Sequence, residues 1–291
     1  MWRRATVALV ALIAAGAVLR AYDLHALGLR LLNLAPALSG TAIVRGAAYG
    51  REPWQRLDIY APPGRQARNL PVVVFFYGGR WTVGAKETYR FVGDAFAKRG
   101  YIAVIPDYSK YPAVRFPAFV EDGAKALAWV FDRIADYGGD PGRIFVAGHS
   151  AGAHIGALLA ADPGYLAREG KERSAVVKGF AGLAGPYAFT PDEPDLKDMF
   201  GPPERYPAMQ ATTFIDGKQP PMLLLYGDTD KAVKRYNLDR LEARIRKKGG
   251  AVKSIIYPGV DHLWILAALS WVNFRGPPVL DDMLAFFGSV K

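Results

Sequence analysis

Hydrophobic positions along this chain switch between two periods. Residues 57–60 alternate apolar and polar, as a half-buried strand does. Residues 72–76 are continuously apolar, the mark of a strand covered on both faces. A helical period runs over 87–99 and stops at Gly100. A strand run returns at 101–105, ended by Pro106, and helical periodicity resumes over 119–134. The runs 144–147, 176–183, 222–226 and 252–256 predict further strands, with a basic helix between the last two and a one-sided apolar helix over 279–287. Strands interleaved with helices predict an α/β fold: a mainly parallel central sheet with helices on both faces. Ligands in such sheets sit at the carboxyl ends of the strands. The proline-rich stretch 185–221 follows neither period and reads as a small insertion over that end. Residues 1–49 read as a lead-in, leaving 50–291 for the main domain.

Composition narrows the chemistry. Hydrophobic residues make up 51% of the 291 positions and charged ones 22%, enough core for a folded α/β domain and too little charge for disorder. Cysteine is absent, which excludes disulfides, a thiol nucleophile and thiolate metal sites. The net charge of +10 is concentrated near the N-terminus and around Arg240, Arg244, Arg246, Lys247 and Lys248. No nucleic-acid module accompanies that charge, so a solvated helix face or attraction to an anionic membrane surface accounts for it. Arg3 and Arg4 precede an apolar run over 5–19 that Arg20 closes, the layout of an export signal or a short anchor. Leu24, Leu27, Leu31 and Leu34, widened by Leu29 and Leu32, recur at helical spacing behind it, as in a helix lying on a membrane or on the domain. A membrane-anchored or exported protein with its folded body on the periplasmic side is therefore expected.

One segment carries the reactive chemistry. Gly148-His149-Ser150-Ala151-Gly152 lies between the strand run 144–147 and a small-residue helix over 153–160. A strand, a sharp turn and a helix place a serine hydroxyl at an apex, and the turn is so cramped that only glycine fits two residues either side. A serine nucleophile needs a base, a group that orients the base, and donors for the oxyanion. Four histidines are available, at 25, 149, 154 and 262. His25 lies in the lead-in, His149 is held within the turn, and His154 is set on the following helix to pack. His262, in a loop after the last strand, is the candidate base. Asp230 follows the strand run 222–226 and is the candidate orienter, with Asp228 expected to shape its own turn and Asp261 to point elsewhere. The chain order serine, acid, histidine suits a strand–turn–helix nucleophile. Candidate oxyanion donors are the backbone amides of Ala151 and, in the loop after 72–76, of Gly79 and Arg80.

With these segments the chain resembles the α/β-hydrolase superfamily, and within it carboxylesterases similar to hormone-sensitive lipase, kynurenine formamidase and isoprenylcysteine methylesterase. The matching pieces are Tyr-Gly-Gly-Arg-Trp at 77–81, Pro-Asp-Tyr at 106–108, Gly-Gly-Asp-Pro at 138–141 and Gly-His-Ser-Ala-Gly-Ala-His at 148–154. The resemblance covers residues 50–288. It implies Ser150, Asp230 and His262 as the catalytic set, a structural Asp107, small ester substrates, and no metal or organic cofactor. The family's oxyanion segment usually begins with histidine and continues in glycine, where this chain has Tyr77 and Arg80. The change leaves backbone donors intact and alters the wall, with Arg80 and Trp81 favouring an anionic or aromatic substrate, or Arg80 pointing to solvent. Trp81, Tyr187, Phe189 and Trp264 are candidates for that wall. Two rival readings are an arylformamidase-like amide hydrolase and a non-catalytic binding protein on the same fold.

Overall fold

The fold rests on one eight-stranded sheet, in the order β1-β2-β4-β3-β5-β6-β7-β8. The computed structural model describes residues 28–290, apart from 30, 35, 37, 38, 65–67 and 274. The apolar run 5–19, its flanking arginines, Leu24, His25 and Leu27 lie outside the described residues. The strands are β1 (Ala42–Ala48), β2 (Arg56–Tyr60), β3 (Leu70–Phe76), β4 (Ile102–Pro106), β5 (Gly139–His149), β6 (Gly179–Leu183), β7 (Met222–Gly227) and β8 (Val252–Tyr257). β2 is antiparallel to both neighbours, and every other pairing is parallel. The continuously apolar runs became the central strands: Val72 to Phe76 are all fully buried.

The principal helices are α1 (Arg90–Lys98), α2 (Ala118–Arg133), α3 (Ala151–Ala161), α4 (Pro194–Phe200), α5 (Tyr236–Lys247) and α6 (Val279–Ser289). Two successive residues of β5 show that both faces are covered. Phe145 stacks on Phe287 of α6, at 4.6 Å between ring centres. Val146, pointing the other way, is the side chain that a Cβ on Gly156 of α3 would meet at 3.0 Å.

Two expectations need correction. The sheet begins before position 50, because β1 lies inside the stretch read as lead-in. Its alternation is broken by two register shifts and by Gly46 at φ 71°, so no strand period survives in the sequence. Asp58 of β2 fixes the break by accepting the Gly46 amide at 2.8 Å. The strand expected over 176–183 starts only at Gly179, because Arg173–Val176 forms a helical turn. In the lead-in, Leu29 and Leu32 pack on the core while Leu31 and Leu34 are 52% and 63% exposed. Asn33 docks this stretch, accepting the Phe91 amide in the first turn of α1 at 2.9 Å and donating to Leu29 and Thr88 carbonyls at 2.7 Å each. The insertion 185–221 contributes α4 and short helical turns, and its Phe189 and Phe200 pack against Trp81 from the loop after β3.

Candidate active site

Ser150 sits between β5 and α3 at φ 53°, ψ −122°, a conformation that L-residues adopt only when their surroundings enforce it. The surroundings are backbone. A Cβ on Gly148 would meet Gly152 backbone at 2.5 Å, and one on Gly152 would collide with the carbonyl oxygens of Phe76 and Tyr77. The Ser150 amide is fixed by donating to the Leu183 carbonyl of β6 at 2.9 Å. Ala151 opens α3, so its amide has no preceding turn to bond to.

The loop after β3 approaches from the other side. A Cβ on Gly78 would lie 2.8 Å from His149 Nδ1 and 3.2 Å from Ser150 Cβ. Gly79 has φ 130°, and Arg80 and Trp81 follow at 53° and 58°. Buried tyrosines hold this strained turn. Tyr108 donates its hydroxyl to the Tyr77 carbonyl at 2.8 Å, and Tyr89 donates to the Gly78 carbonyl at 3.3 Å. Tyr77 stacks between them, with ring centres at 5.0 Å from Tyr89 and 4.7 Å from Tyr108. Its own hydroxyl donates to Asp107 Oδ1 at 2.5 Å, and the same oxygen accepts the Lys86 amide at 2.9 Å. Burial raises the Asp107 pKa, opposed by these two hydrogen bonds. The Arg80 guanidinium pairs with Glu193 at 2.7 Å and Asp195 at 2.9 Å, tying the loop to the insertion at α4.

His262 lies in the loop after β8. Its Nδ1 is 2.7 Å from Asp230 Oδ2, and the Asp230 side chain is fully buried. The other carboxylate oxygen of Asp230 accepts the amides of Ala232 and Val233 at 2.8 and 3.0 Å. Asp228 instead accepts the Gly259 amide at 2.7 Å, bracing the histidine loop without touching the imidazole. Asp261 accepts the amides of Leu263 and Trp264 and starts the short helix Trp264–Ala267.

Ser150, His262, Gly79, Arg80, Trp81 and Phe189 all line one cleft of about 690 Å³. Two wall candidates do not belong to it. Tyr187 is 1% exposed and packs in the core against Gly182 and Gly185, edge-on to Phe180. Trp264 is 41% exposed and lines a separate cleft with Tyr257 and Pro277, because the turn capped by Asp261 carries it past the opening. Leu263, one residue earlier, lines the active-site cleft in its place, with Val83 and Leu196. Leu196 had a legible signal, as an apolar residue within the proline-rich insertion; Leu263 and Val83 had none.

His154 lies beneath the cleft floor, fully buried, with Nε2 donating to the Met209 carbonyl at 2.7 Å. Burial pulls its pKa down from 6.5 to about 4. A histidine harder to protonate when folded contributes stability that is complete above about pH 6.5 and is lost as pH falls toward 4. At about 1.4 kcal/mol per unit, the loss is roughly 3 kcal/mol. Urea unfolding between pH 7 and 4 should show this decline, and His154→Gln should flatten it. A variant curve as steep as that of the wild type would clear His154 of the effect.

Comparison with known proteins bears on the family and the fold. Residues 57–245 match the BD-FAE family. The chain is 32% identical over 253 residues to Esterase LipQ of Mycobacterium tuberculosis (strain ATCC 25618 / H37Rv), covering 81% of this chain and 59% of that protein. It is 27% identical to a probable isoprenylcysteine alpha-carbonyl methylesterase of Oryza sativa subsp. japonica, covering 76% and 58%. The chain thus spans less than two thirds of the length of these curated relatives. Among solved structures, Esterase B from Lactobacillus Rhamnosis superposes with a TM-score of 0.78 at 17% identity, covering 94% of each chain. A carbohydrate esterase from gut microbiota, in truncated form, gives 0.70 at 19%, covering 86% of this chain and 96% of that one. The structural likeness establishes an α/β-hydrolase fold, and with a sequence match over more than half of its length the chain belongs to the BD-FAE family.

Proposed function

We propose that this chain is a serine carboxylesterase acting on small to medium carboxylic esters through an acyl-enzyme. The observation that carries the reading is the buried Asp230–His262 pair, 2.7 Å apart, whose imidazole opens into the same cleft as Ser150 at its strained turn. The curated relatives that are named as esterases support the same reaction class.

Each residue then has one task. Asp230 accepts the Nδ1 proton of His262, so Nε2 carries the lone pair and serves as the base. Ser150 Oγ bonds to the ester carbonyl carbon as its proton passes to Nε2, and the carbonyl π-pair moves onto oxygen. The amides of Gly79, Arg80 and Ala151 receive that oxyanion. The Tyr89 hydroxyl supports this assignment for Gly79: it holds the carbonyl of Gly78, and in a trans peptide the following N–H points the opposite way. The tetrahedral species collapses by breaking the bond to the alkoxy oxygen, which takes the proton from Nε2 and departs as alcohol. Water repeats the sequence on the acyl-enzyme, releasing the acid and restoring Ser150. Trp81, Phe189 and Leu196 give the cleft an apolar wall suited to an acyl chain.

A fluorophosphonate tests the nucleophile directly. It should inactivate hydrolysis of p-nitrophenyl esters with one adduct per chain, found by mass spectrometry on the peptide containing Ser150. An active enzyme that carries the adduct elsewhere, or resists the reagent, would remove Ser150 from the mechanism.

A further inference from the structure

His149 ends β5, directly before Ser150, and is 3% exposed where it borders the cleft. Its Nε2 lies 2.8 Å from the backbone carbonyl oxygen of His262. A carbonyl only accepts, so Nε2 carries the proton and donates. The two imidazole rings are 4.7 Å apart at 45°. His262 is therefore held twice: at its side chain by Asp230, and at its main chain by the residue that precedes Ser150.

The two holds act on different degrees of freedom. Asp230 sets the rotation of the ring and the position of its proton. Among the described residues, the histidine loop is also bonded from the β7 side, by the Asp228 carboxylate to the Gly259 amide, the Asp228 amide to the Tyr257 carbonyl and the Thr229 amide to the Val260 carbonyl. They fix the loop relative to the acid and leave its distance from the serine strand open. The bond from His149 closes that distance, because it joins the end of β5 to the residue carrying the base.

We propose that His149 is a positioning residue: its Nε2–H, anchored on the His262 carbonyl, sets the separation and angle between the His262 imidazole and the Ser150 hydroxyl. The proposal rests on the reading of Ser150 and His262 as nucleophile and base. It gives the position before the serine a role that its confinement within the turn does not by itself require.

Two amides separate this role from simple packing. Glutamine at 149 can place an N–H near the Nε2 position and keep the bond to the His262 carbonyl. Asparagine reaches only as far as Nδ1 and loses it. His149→Asn should lower kcat for p-nitrophenyl acetate by about a hundredfold, the scale of a 1 Å misplacement of reacting groups. KM should change by less than about threefold, because ground-state contacts with substrate are untouched. His149→Gln should recover most of kcat, within about fivefold of the wild type. Thermal melts of both variants show whether the fold is intact. If either variant fails to fold, His149→Gln and His149→Asn are compared within an additionally stabilised background, with the same ordering of kcat required. Equal kcat for the two variants, or a loss that follows KM or melting temperature, overturns the proposal. Loss of activity in Ser150→Ala beside full activity in His149→Asn refutes His149 alone, whereas retained activity in Ser150→Ala refutes the reading beneath it.

Discussion

Ser150→Ala should lower kcat/KM for short-chain p-nitrophenyl esters by at least about a thousandfold, the scale seen when a nucleophile is removed from a serine hydrolase. The loss is large because an alanine methyl cannot form the acyl bond. The chain has no cysteine, and the described hydroxyl at the apex of the turn is the one presented by Ser150. The fold should survive the change. The turn is defined by Gly148, by Gly152 and by the bond of the position-150 amide to Leu183, none of which involves the hydroxyl. Steady-state kinetics with a matched thermal melt measures both halves of the expectation. Unchanged turnover in a folded variant would refute the serine mechanism, and the resemblance to esterases would then describe the fold only.

Asp230→Asn should cost about ten-thousandfold in kcat with little change in structure. The carboxylate has two jobs on two oxygens. Oδ1 receives the Ala232 and Val233 amides, and an asparagine carbonyl oxygen can continue to do so. Oδ2 receives the His262 Nδ1 proton, and the asparagine NH₂ placed there presents hydrogens instead. To avoid two opposed donors, the imidazole moves its proton to Nε2. The nitrogen meant to accept the serine proton then already carries one. Loss of the negative charge also leaves the imidazolium unsupported when it forms. A pH–rate profile locates the effect: activity should return in part at alkaline pH, where hydroxide can replace the missing base. A variant with nearly wild-type kcat would assign the orienting task to another group, with Asp228 the nearest alternative in sequence.

The parts of this site that were legible in the sequence share one property: short-range sterics or turn chemistry decided them. The serine turn could be read because backbone crowding excludes a Cβ at Gly148 and Gly152. Asp230 was set above Asp228 by turn chemistry that falls the other way: Asp228 accepts an amide of a distant loop, at Gly259, and it is Asp230 that accepts amides of its own turn, at Ala232 and Val233. What stayed hidden depends on contacts between distant segments. The partners of Arg80 lie 113 and 115 residues away, so neither solvent nor substrate was a better guess than an ion pair. Tyr187 and Trp264 were aromatic residues near the right strands, but the direction of each ring follows from local capping and from glycine-sized space that composition does not record. β1 escaped because an edge strand with a bulge loses the alternation by which strands are found.

Tyr77 stands where the α/β-hydrolase resemblance implies a histidine, and that exchange changes what acidity can do to the turn after β3. An imidazole bracing the turn would gain a proton within the ordinary working range and alter its bonds. The phenols of Tyr77, Tyr89 and Tyr108 are kept uncharged by burial, their ionisation driven far above neutrality. The three phenols thus stay uncharged across mild acid and base, and acid reaches this scaffold through Asp107 instead, the carboxylate under Tyr77 that burial lifts above its ordinary range.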